Sequence, residues 1–376
     1  MQPSGSHQLR RVLLLARGGP LDGSQRQVNY LVRGLDRRRF EPIVVLDRPG
    51  PLADSLREGG VEVQAMSMRA WRSVPAALLR YVDALRIARL ANRRRVDLVH
   101  ASDVWKSGYM HFVARRLAIP SVLHVRGPMS GRDILKHGVV RSSAVITIAR
   151  RYHQDLLAAG ISPDRMELID DAVDLEQFRP ALAGRDVVRK RFGVQDRVLV
   201  GLVGRVDPFK LVLEFLELIA PLARNADSRA TYFVIGQPGR EPYYQTVLEA
   251  TRRLGLAERV VFTGRWDDIP AMMAALDIVV TMSGGSVMFE AMACARPVLS
   301  VRADDRHSVH TRHDETAWCV TTDRPEPATG ALARLIDEPA LRERLGRAGR
   351  AWAEQHLSPA AMVARTQSLY DKLLGC

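Results

Sequence analysis

The chain has 376 residues, of which 47% are hydrophobic and 26% charged, and its formal net charge is +13. This length exceeds what one hydrophobic core normally holds, so two domains are expected, and the globular composition excludes a collagen-like or disordered chain. The excess of cations favours anionic partners such as phosphates and acidic lipids. Nucleic acid is not expected as a partner, because the arginines are spread along the chain without the spacing of a recognition motif.

No segment has the pattern of a secretory signal or of a membrane-spanning helix. The opening residues lack the apolar stretch of a signal peptide, and no apolar run approaches the ~20 residues that cross a bilayer. Cys294, Cys319 and Cys376 are odd in number and lack paired metal-ligand spacing, which is typical of a reducing compartment. The sequence therefore predicts a cytoplasmic protein that is not integral to a membrane.

The first half alternates short apolar runs with longer periodic segments, the pattern of parallel strands joined by crossover helices. One helix is predicted from Gln25 to Leu35, and a second, longer helix is predicted to end near Arg95. The predicted strands are RVLLLA, EPIVVLD, VEVQAM, VDLVHAS, SVLHVRG, AVITIA and MELIDDAV. A polar stretch containing Pro180 and Gly184 then separates this set from a second one.

The second half repeats the alternation and predicts a second doubly wound sheet. Residues 328–374 read as helical apart from a break at Ser358 and Pro359. The predicted strands are Val198–Val203, Ala230–Ile235, VVFTG, DIVVTM and PVLSV, and the predicted helices are Phe209–Ala223, Tyr243–Leu254, Ile269–Ala275 and Val287–Cys294. The domains are thus predicted as residues 1–180 and 197–357, with a linker at 181–196 and a C-terminal helix at 358–376 that can cross back to the first domain.

Ligands of open parallel sheets bind beyond the carboxyl ends of the strands, so the binding residues are expected in the loops that follow strands. In GRVDPFK, Arg205 closes a strand and Lys210 is expected about one turn into the next helix. Two such cations can pair with a diphosphate, although two solvated charges are the commoner explanation when the motif stands alone.

A second loop, SGGSVMFEAMA, runs from a strand into a helix. Gly284 and Gly285 allow the backbone to approach a ligand closely, and the amides near Ser286 and Val287 face whatever precedes the helix. Glu290 is either an acceptor for sugar or ribose hydroxyls or a carboxylate favoured by the helix dipole. A weaker signal comes from VIGQPG and VFTGRW, which contain Gly236 and Arg265 and can border a nucleobase.

Taken in order, GRVDPFK, VIGQPG, VVFTGRW, DIVVTMS and EAMACARPV resemble the C-terminal half of the family 4 retaining glycosyltransferases of GT-B fold. The first half agrees at DGSQRQVNYLVRGL, VDLVHAS and IDDAVDLEQFRP. The resemblance covers nearly the whole chain. It implies an α/β protein of two Rossmann-like doubly wound domains that face each other across a cleft.

The resemblance also implies roles for individual residues. Arg205 and Lys210 would neutralise the donor diphosphate, and Glu290 would accept the ribose hydroxyls. The amides of Ser286 and Val287 would meet a phosphate. Gly23 would let its loop close on the donor. Such enzymes keep the anomeric configuration and need no metal ion, because protein cations take its place.

The sequence departs from the family pattern at four places. The first of two glutamates eight residues apart has no counterpart, and the usual glycine after EAMAC is Ala295. The customary Thr-x-His-Gly is HVRG, with His124 and Arg126 at the threonine and histidine positions, and the customary Asn-Gly is Asp171 followed by alanine. These changes define a divergent member of the family.

Arg126 cannot act as a general base, because its guanidinium stays protonated. We expect it to steady the leaving phosphate or an acidic acceptor. His124 has the chemistry for proton transfer, although a histidine at a buried strand end is more often simply hydrogen-bonded in place.

Two further patterns have competing interpretations. His307, His310 and His313 recur at three-residue intervals, but their polar surroundings favour a solvated loop over a metal site. In the predicted helix at residues 74–95, one face carries Val74, Ala77, Leu78, Val82 and Leu85. Its cations are Arg80, Arg86, Arg89 and Arg93 to Arg95. That apolar face would pack on the first sheet or lie on an acidic bilayer, with packing favoured.

The sequence therefore predicts a metal-independent transferase that moves a sugar from a nucleoside-diphosphate sugar to a saccharide, lipid-linked or small-molecule acceptor. Peripheral contact with the inner face of an acidic membrane is part of this hypothesis. The alternatives are a non-catalytic donor-binding subunit and a sugar-nucleotide epimerase of the same fold.

Overall fold

The protein is described by a computed structural model that covers residues 8–21, 23–71, 77–180, 183–225, 228–303 and 308–375. The chain divides into two compact units. Unit 1 comprises the residues up to Ala172 together with those from Pro359 onward, and unit 2 comprises Val173–Ser358. None of the helices in the described ranges is long and apolar enough to cross a membrane.

Unit 1 is built around a parallel sheet in which the described strands follow the order β3-β2-β1-β4-β5-β6-β7. The strands are β1 Arg10–Ala16, β2 Phe40–Leu46, β3 Glu62–Ala65, β4 Leu98–Ala101, β5 Ser121–Val125, β6 Ala144–Thr147 and β7 Met166–Leu168. The helices that connect them are α1 Gly23–Gly34, α2 Pro51–Glu58, α3 Ala77–Arg93, α4 Ser107–Leu117, α5 Gly131–His137 and α6 Arg150–Ala158.

Unit 2 has a second parallel sheet, whose described strands follow the order β10-β9-β8-β11-β12-β13. Its elements are α7 Gly184–Arg191, β8 Val198–Val203, α8 Val212–Ala223, β9 Ala230–Ile235, α9 Glu241–Arg253, β10 Val260–Gly264, α10 Ile269–Ala275, β11 Ile278–Thr281, α11 Val287–Ala293, β12 Val298–Arg302, β13 Trp318–Thr321, α12 Pro325–Asp337 and α13 Pro339–His356. The final helix, α14 Pro359–Leu374, belongs to unit 1.

Alternate residues of the central strands enter different cores, which explains why these strands are continuously apolar. In β1, Val12 and Leu14 pack into one hydrophobic cluster, and Leu13 and Leu15 pack into another. Because successive side chains of a strand point to opposite faces, both faces of the sheet are covered by helices. The prediction of two Rossmann-like, doubly wound domains is confirmed.

The boundary between the units differs from the predicted one at residue 180. Val173 and Phe178 are buried in a hydrophobic cluster of unit 2. The predicted linker at 181–196 contains α7, whose Val188 is buried in the same cluster. The polar composition of this segment reflects the exposed side of an amphipathic helix and not a linker.

The C-terminal helix α14 packs on unit 1. The ring of Tyr370 meets that of Phe40 edge-on, with centroids 5.6 Å apart, and Asp371 forms an ion pair with Arg39. The backbone N–H of Asp36 donates to the side-chain oxygen of Gln367 at 2.7 Å. A helix distant in sequence therefore completes the first core.

Helix α3 packs with a face other than the predicted one. Its buried residues include Ala84, Ile87, Ala88 and Ala91, whereas Leu78 is 77% exposed and Val82 and Leu85 are each 38% exposed. Val74 and the side chain of Ala77 lie outside the described residues. The favoured interpretation, in which the Leu78, Val82 and Leu85 face packs on the sheet, is therefore wrong.

Candidate functional site

The order of strands in unit 2 places a switch point between β8 and β11. Neighbouring strands are added in one direction from β8 and in the other direction from β11, so the loops that follow these two strands diverge. Such a divergence opens a crevice at the carboxyl ends of the strands, where ligands of these folds bind. The loop after β8 contains Arg205 and Lys210, and the loop after β11 contains Gly284 and Gly285.

The structure brings Lys210 next to the glycine turn. A Cβ atom built on Gly285 would lie 3.9 Å from the Nζ of Lys210. The aliphatic part of the lysine packs over Gly204, where a Cβ would lie only 2.7 Å from its Cε. Gly204 has φ of 145°, a conformation that favours glycine, and a Cβ at this position would displace the lysine side chain.

The sequence predicted that Lys210 lies inside the following helix, but in the structure it precedes that helix. It ends a short 3-10 turn, Pro208–Lys210, and Leu211 then adopts the left-handed conformation, with φ of 56°, before α8 begins at Val212. A left-handed leucine costs on the order of 1 kcal/mol. This conformation breaks the helix just before α8 and keeps Lys210 in the loop at the carboxyl end of the sheet.

Burial dominates the electrostatics of Lys210 and lowers its pKa. The charges of Asp207 and Glu290 act in the opposite direction, and the nearby guanidinium of Arg205 adds to the lowering. Burial and a second cation both disfavour the protonated form of this lysine, and an anion that binds beside it stabilises that form. The arrangement is therefore suited to a phosphate or diphosphate.

Arg205 is held by a carboxylate of its own loop. Its Nε and Nη2 each lie 2.8 Å from Oδ2 of Asp207, while its side chain remains 63% exposed. The other carboxylate oxygen of Asp207 is buried, and no residue of the described chain donates a hydrogen bond to it. Asp207 thus orients Arg205 and leaves most of the guanidinium accessible to a ligand.

The glycine turn after β11 joins that strand to α11, the strand-to-helix position that its sequence predicted. Gly284 and Gly285 have φ of 73° and 98°, and the N–H of Gly284 donates to Oγ1 of Thr281 at 3.0 Å. Within the described ranges, no residue accepts a hydrogen bond from the N–H of Ser286 or Val287. These two amides therefore remain available to an anion.

Sequence reasoning missed a third cation at this turn. Nη1 of Arg302 lies 3.5 Å from the position of a Cβ on Gly284. Arg302 is the last residue of β12, the strand next to β11, so it ends at the same edge of the sheet. That position at a strand end was the signal that could have found it.

Of the other predicted donor-site residues, Glu290 and Gly236 lie near Lys210 or its loop, whereas Arg265 does not contact Lys210. Glu290 is in the first turn of α11, close enough for its charge to affect Lys210. Gly236 packs directly on the loop after β8, since a Cβ there would lie 2.2 Å from the carbonyl oxygen of Gly204. Arg265 is 77% exposed and pairs with Asp267, and no contact links it to Lys210.

In unit 1, two departures from the family pattern contact each other. Nη1 of Arg126 donates to Oδ1 of Asp171 at 2.5 Å, and its Nε donates to the carbonyl oxygen of Ser102 at 3.0 Å. Both side chains of the pair are largely buried, at 13% and 17% exposed. Arg126 therefore ties together the ends of three strands, β4, β5 and β7.

A second clamp fixes the same segment. The side-chain amide of Gln27 in α1 donates to the carbonyl oxygen of Ala172 at 2.9 Å and accepts from its N–H at 2.8 Å. Gly23 starts α1 with φ of 30° and has open space around the position of a Cβ. Asp103 follows Ser102, the residue whose carbonyl oxygen binds Arg126, and sequence reasoning did not select it. Burial raises the pKa of its carboxyl group.

His124 is buried within the sheet and stacks on another histidine. Its ring lies 5.5 Å from that of His100, and Nδ1 of His100 is 2.6 Å from the hydroxyl of Tyr370. Burial lowers the pKa of His100 to about 3 and also lowers that of His124, which the charge of Arg126 depresses further. Both rings are therefore neutral, and no described residue hydrogen-bonds to Nε2 of either one.

The predicted solvated histidine loop is only partly solvated. His310 is 7% exposed, packs edge-on against Phe289 and accepts a hydrogen bond from the indole of Trp352 at 3.0 Å. His313 is exposed and accepts from the N–H of Cys319 at 3.2 Å. His307 lies outside the described residues.

Comparison with known proteins identifies the family to which this arrangement belongs. Residues 185–352 match the family described as Glycosyl transferases group 1, and residues 21–177 match the one described as Glycosyltransferase Family 4. The chain belongs to these glycosyltransferases. The resemblance carried by GRVDPFK and EAMACARPV is thereby confirmed.

Individual glycosyltransferases are similar over much of the chain. The 2-deoxystreptamine glucosyltransferase of Streptomyces kanamyceticus is 28% identical over 328 residues, which is 76% of this chain and 80% of that protein. The D-inositol 3-phosphate glycosyltransferase of Rhodococcus opacus is 29% identical over 65% of this chain, and the chain spans only 60% of that relative.

A solved structure supports the fold. Anabaena HepE in complex with UDP and glucose has a TM-score of 0.82 and 18% identity, over 96% of this chain and 99% of that chain. The predicted GT-B fold class is confirmed.

Proposed function

We propose that this glycosyltransferase uses a nucleoside-diphosphate sugar as donor and transfers the sugar, with retention of anomeric configuration and without a metal ion, to a hydroxyl of its acceptor. The observation that carries the proposal is the position of the Lys210 ammonium beside Gly285, with Arg205 close enough to affect its pKa. HepE, a structural neighbour, binds UDP.

The chemistry follows from where charge develops. When the bond between the sugar and the diphosphate breaks, the diphosphate leaves with additional negative charge. Arg205 and Lys210 would stabilise that charge by charge-assisted hydrogen bonds, and the N–H groups of Ser286 and Val287 would bind a phosphate oxygen. Asp207 would keep Arg205 in position, and Glu290 would accept the ribose hydroxyls.

In unit 1, Arg126 is best described as a positioning residue. Two of its N–H groups are committed to Ser102 and Asp171, so it holds the strand ends on which acceptor-binding loops are expected. Neutral His124 would support this framework from inside the sheet and would not transfer protons. The acceptor would be a saccharide, a lipid-linked saccharide or a small molecule.

The test is a thermal-shift measurement with UDP, GDP and their sugars. A ligand at 100 times its Kd stabilises the folded state by about 2.7 kcal/mol, which corresponds to a shift of roughly 5 to 10 °C for a domain of this size. Arg205→Ala and Lys210→Ala should abolish most of the shift. Matched controls on exposed helix positions of unit 2, Arg252→Ala and Lys190→Ala, should retain it.

Turnover is measured separately by NMR of the donor and product anomeric protons. Transfer with retained configuration in the presence of EDTA is the expected result. A chain that binds no nucleotide, or whose nucleotide binding is unaffected by Arg205→Ala and Lys210→Ala together, would contradict the proposed site. A donor that is epimerised without an acceptor would contradict the proposed transfer.

A further inference from the structure

Unit 1 contains a second concave surface, which we call the basic aromatic groove. It has a volume of about 1160 Å³ and lies among α3, α4 and α5 and the segments that follow β3 and β4. Its lining includes six cations and, among the described residues, no carboxylate. The cations are Arg69, Arg80, Lys106, Arg115, Lys136 and Arg141.

Four of the six cations of the groove fall into two groups. Arg69 and Lys106 are neutralised by carboxylates outside the lining, at 2.6 Å from Asp83 and 2.7 Å from Asp47. Arg115 and Arg141 are exposed, and no described carboxylate forms an ion pair with either. The rim of the groove therefore carries positive charge that is available to an anion.

The wall of the groove is aromatic and already packed. Trp71 lies against Gly108 so closely that a Cβ there would be 2.2 Å from the indole. The ring of Tyr81 is 5.8 Å from that of Trp71 and 6.5 Å from that of Phe112. A ligand that binds here meets a preformed apolar surface and does not have to order it.

Large apolar side chains are exposed around the same groove. Leu78 is 77% exposed, Leu135 is 73% exposed and Trp105 is 68% exposed. Trp105 and Leu135 line the groove itself, and Leu78 is on α3, the helix that also contributes Arg80 and Tyr81 to the lining. Exposed apolar groups that cluster beside cations indicate a binding surface for a ligand with both characters.

We propose that the basic aromatic groove binds an anionic amphiphile, a phosphate or diphosphate group carried on an apolar chain. The exposed arginines would bind the phosphate, and the aromatic wall with its apolar rim would take the chain. A neutral glycan leaves the cations unused, and a free sugar phosphate leaves the apolar rim unused. That the groove is the acceptor site of the enzyme rests on the proposed function. That it binds an anionic amphiphile does not depend on that function.

Geranyl diphosphate is a soluble probe with both features, and pyrophosphate and geraniol each lack one of them. Binding is measured by isothermal titration with the donor site saturated by UDP, so that neither diphosphate occupies it. We expect geranyl diphosphate to bind about tenfold more tightly than pyrophosphate and than geraniol. Equal binding of geranyl diphosphate and pyrophosphate overturns the proposal.

Matched variants locate the site. Arg115→Ala should weaken geranyl diphosphate binding about fivefold, whereas Arg116→Ala, on the same helix and also exposed but outside the lining, should leave it within about twofold. Leu135→Ser should weaken binding, and Val187→Ser, at 66% exposed in unit 2, should not. Equal losses in the Arg115 and Arg116 variants overturn the proposal.

A last comparison separates a bound amphiphile from a bilayer surface. Sedimentation with phosphatidylcholine vesicles, with and without phosphatidylglycerol, is run beside the titration. Binding to acidic vesicles without binding of geranyl diphosphate overturns the groove ligand in favour of surface docking. A chain that binds geranyl diphosphate but shows no thermal shift with any nucleotide retains the groove and loses the donor function.

Discussion

Removing one partner of the Arg126–Asp171 pair tests whether the interaction between these two residues stabilises unit 1. Asp171→Asn leaves the guanidinium largely buried, with the carbonyl oxygen of Ser102 as its remaining partner. Breaking a buried ion pair typically costs 3–5 kcal/mol, and the partial exposure of this pair reduces that to about 2–3 kcal/mol. Arg126→Met should cost a similar amount, because it strands the carboxylate.

The double variant distinguishes a direct interaction from two independent effects. If the residues stabilise each other, Arg126→Met with Asp171→Asn should cost less than the sum of the single changes by at least ~1 kcal/mol. Unfolding in urea is followed by hydrogen exchange of peptides from β4 and β5, so that unit 1 is observed separately. Asp54→Asn, which removes an exposed pair with Arg57, should cost less than about 0.5 kcal/mol. Additive single and double effects would refute the reasoning.

Gly204→Ala should weaken UDP binding about tenfold by displacing Lys210, and unchanged affinity in isothermal titration would contradict the role given to that lysine. UDP affinity should fall as the pH rises through the lowered pKa of Lys210, and Asp207→Asn should move this fall to lower pH, because Asp207 raises that pKa; titrations from about pH 7 to 10 that overlay for both proteins would count against it. The unfolded chain binds more protons than the folded one, since burial lowers the pKa of His100 to about 3. The stability of unit 1 should therefore decrease as the pH falls from about 6.5 toward 3, by about 1.4 kcal/mol per pH unit for this histidine. Acid unfolding of His100→Gln with an unchanged slope would show that another group is responsible.

The sequence predicted the fold well where a single physical rule applied. Continuous apolar runs such as those of β1 and β8 require burial on both faces, and alternating runs of strand and helix leave little choice of topology. The turn at Gly284 and Gly285 was predictable because only glycine adopts its dihedral angles readily. Edge strand β13 was missed, since it is short and only partly buried.

Features that depend on tertiary contacts were not predictable from local patterns. Leu211 gives no signal for a left-handed conformation, so Lys210 was placed inside α8. Arg126 and Asp171 are 45 residues apart in sequence, and no local pattern links them. In α3, periodicity showed an apolar stripe, but it is a second stripe at the spacing i, i+3, i+4, i+7, rich in alanine, that is buried.

The two passages of the chain from one unit to the other lie side by side. The N–H of Val173 donates to the carbonyl oxygen of Leu357 at 2.8 Å, so the point where the chain leaves unit 1 adjoins the point where it returns. A gene fusion that joins residue 172 to residue 359 through a few glycines would therefore encode the first unit with its last helix in place. Residues 173–358, already continuous, can be expressed as the complementary fragment, and each half can then be studied by itself.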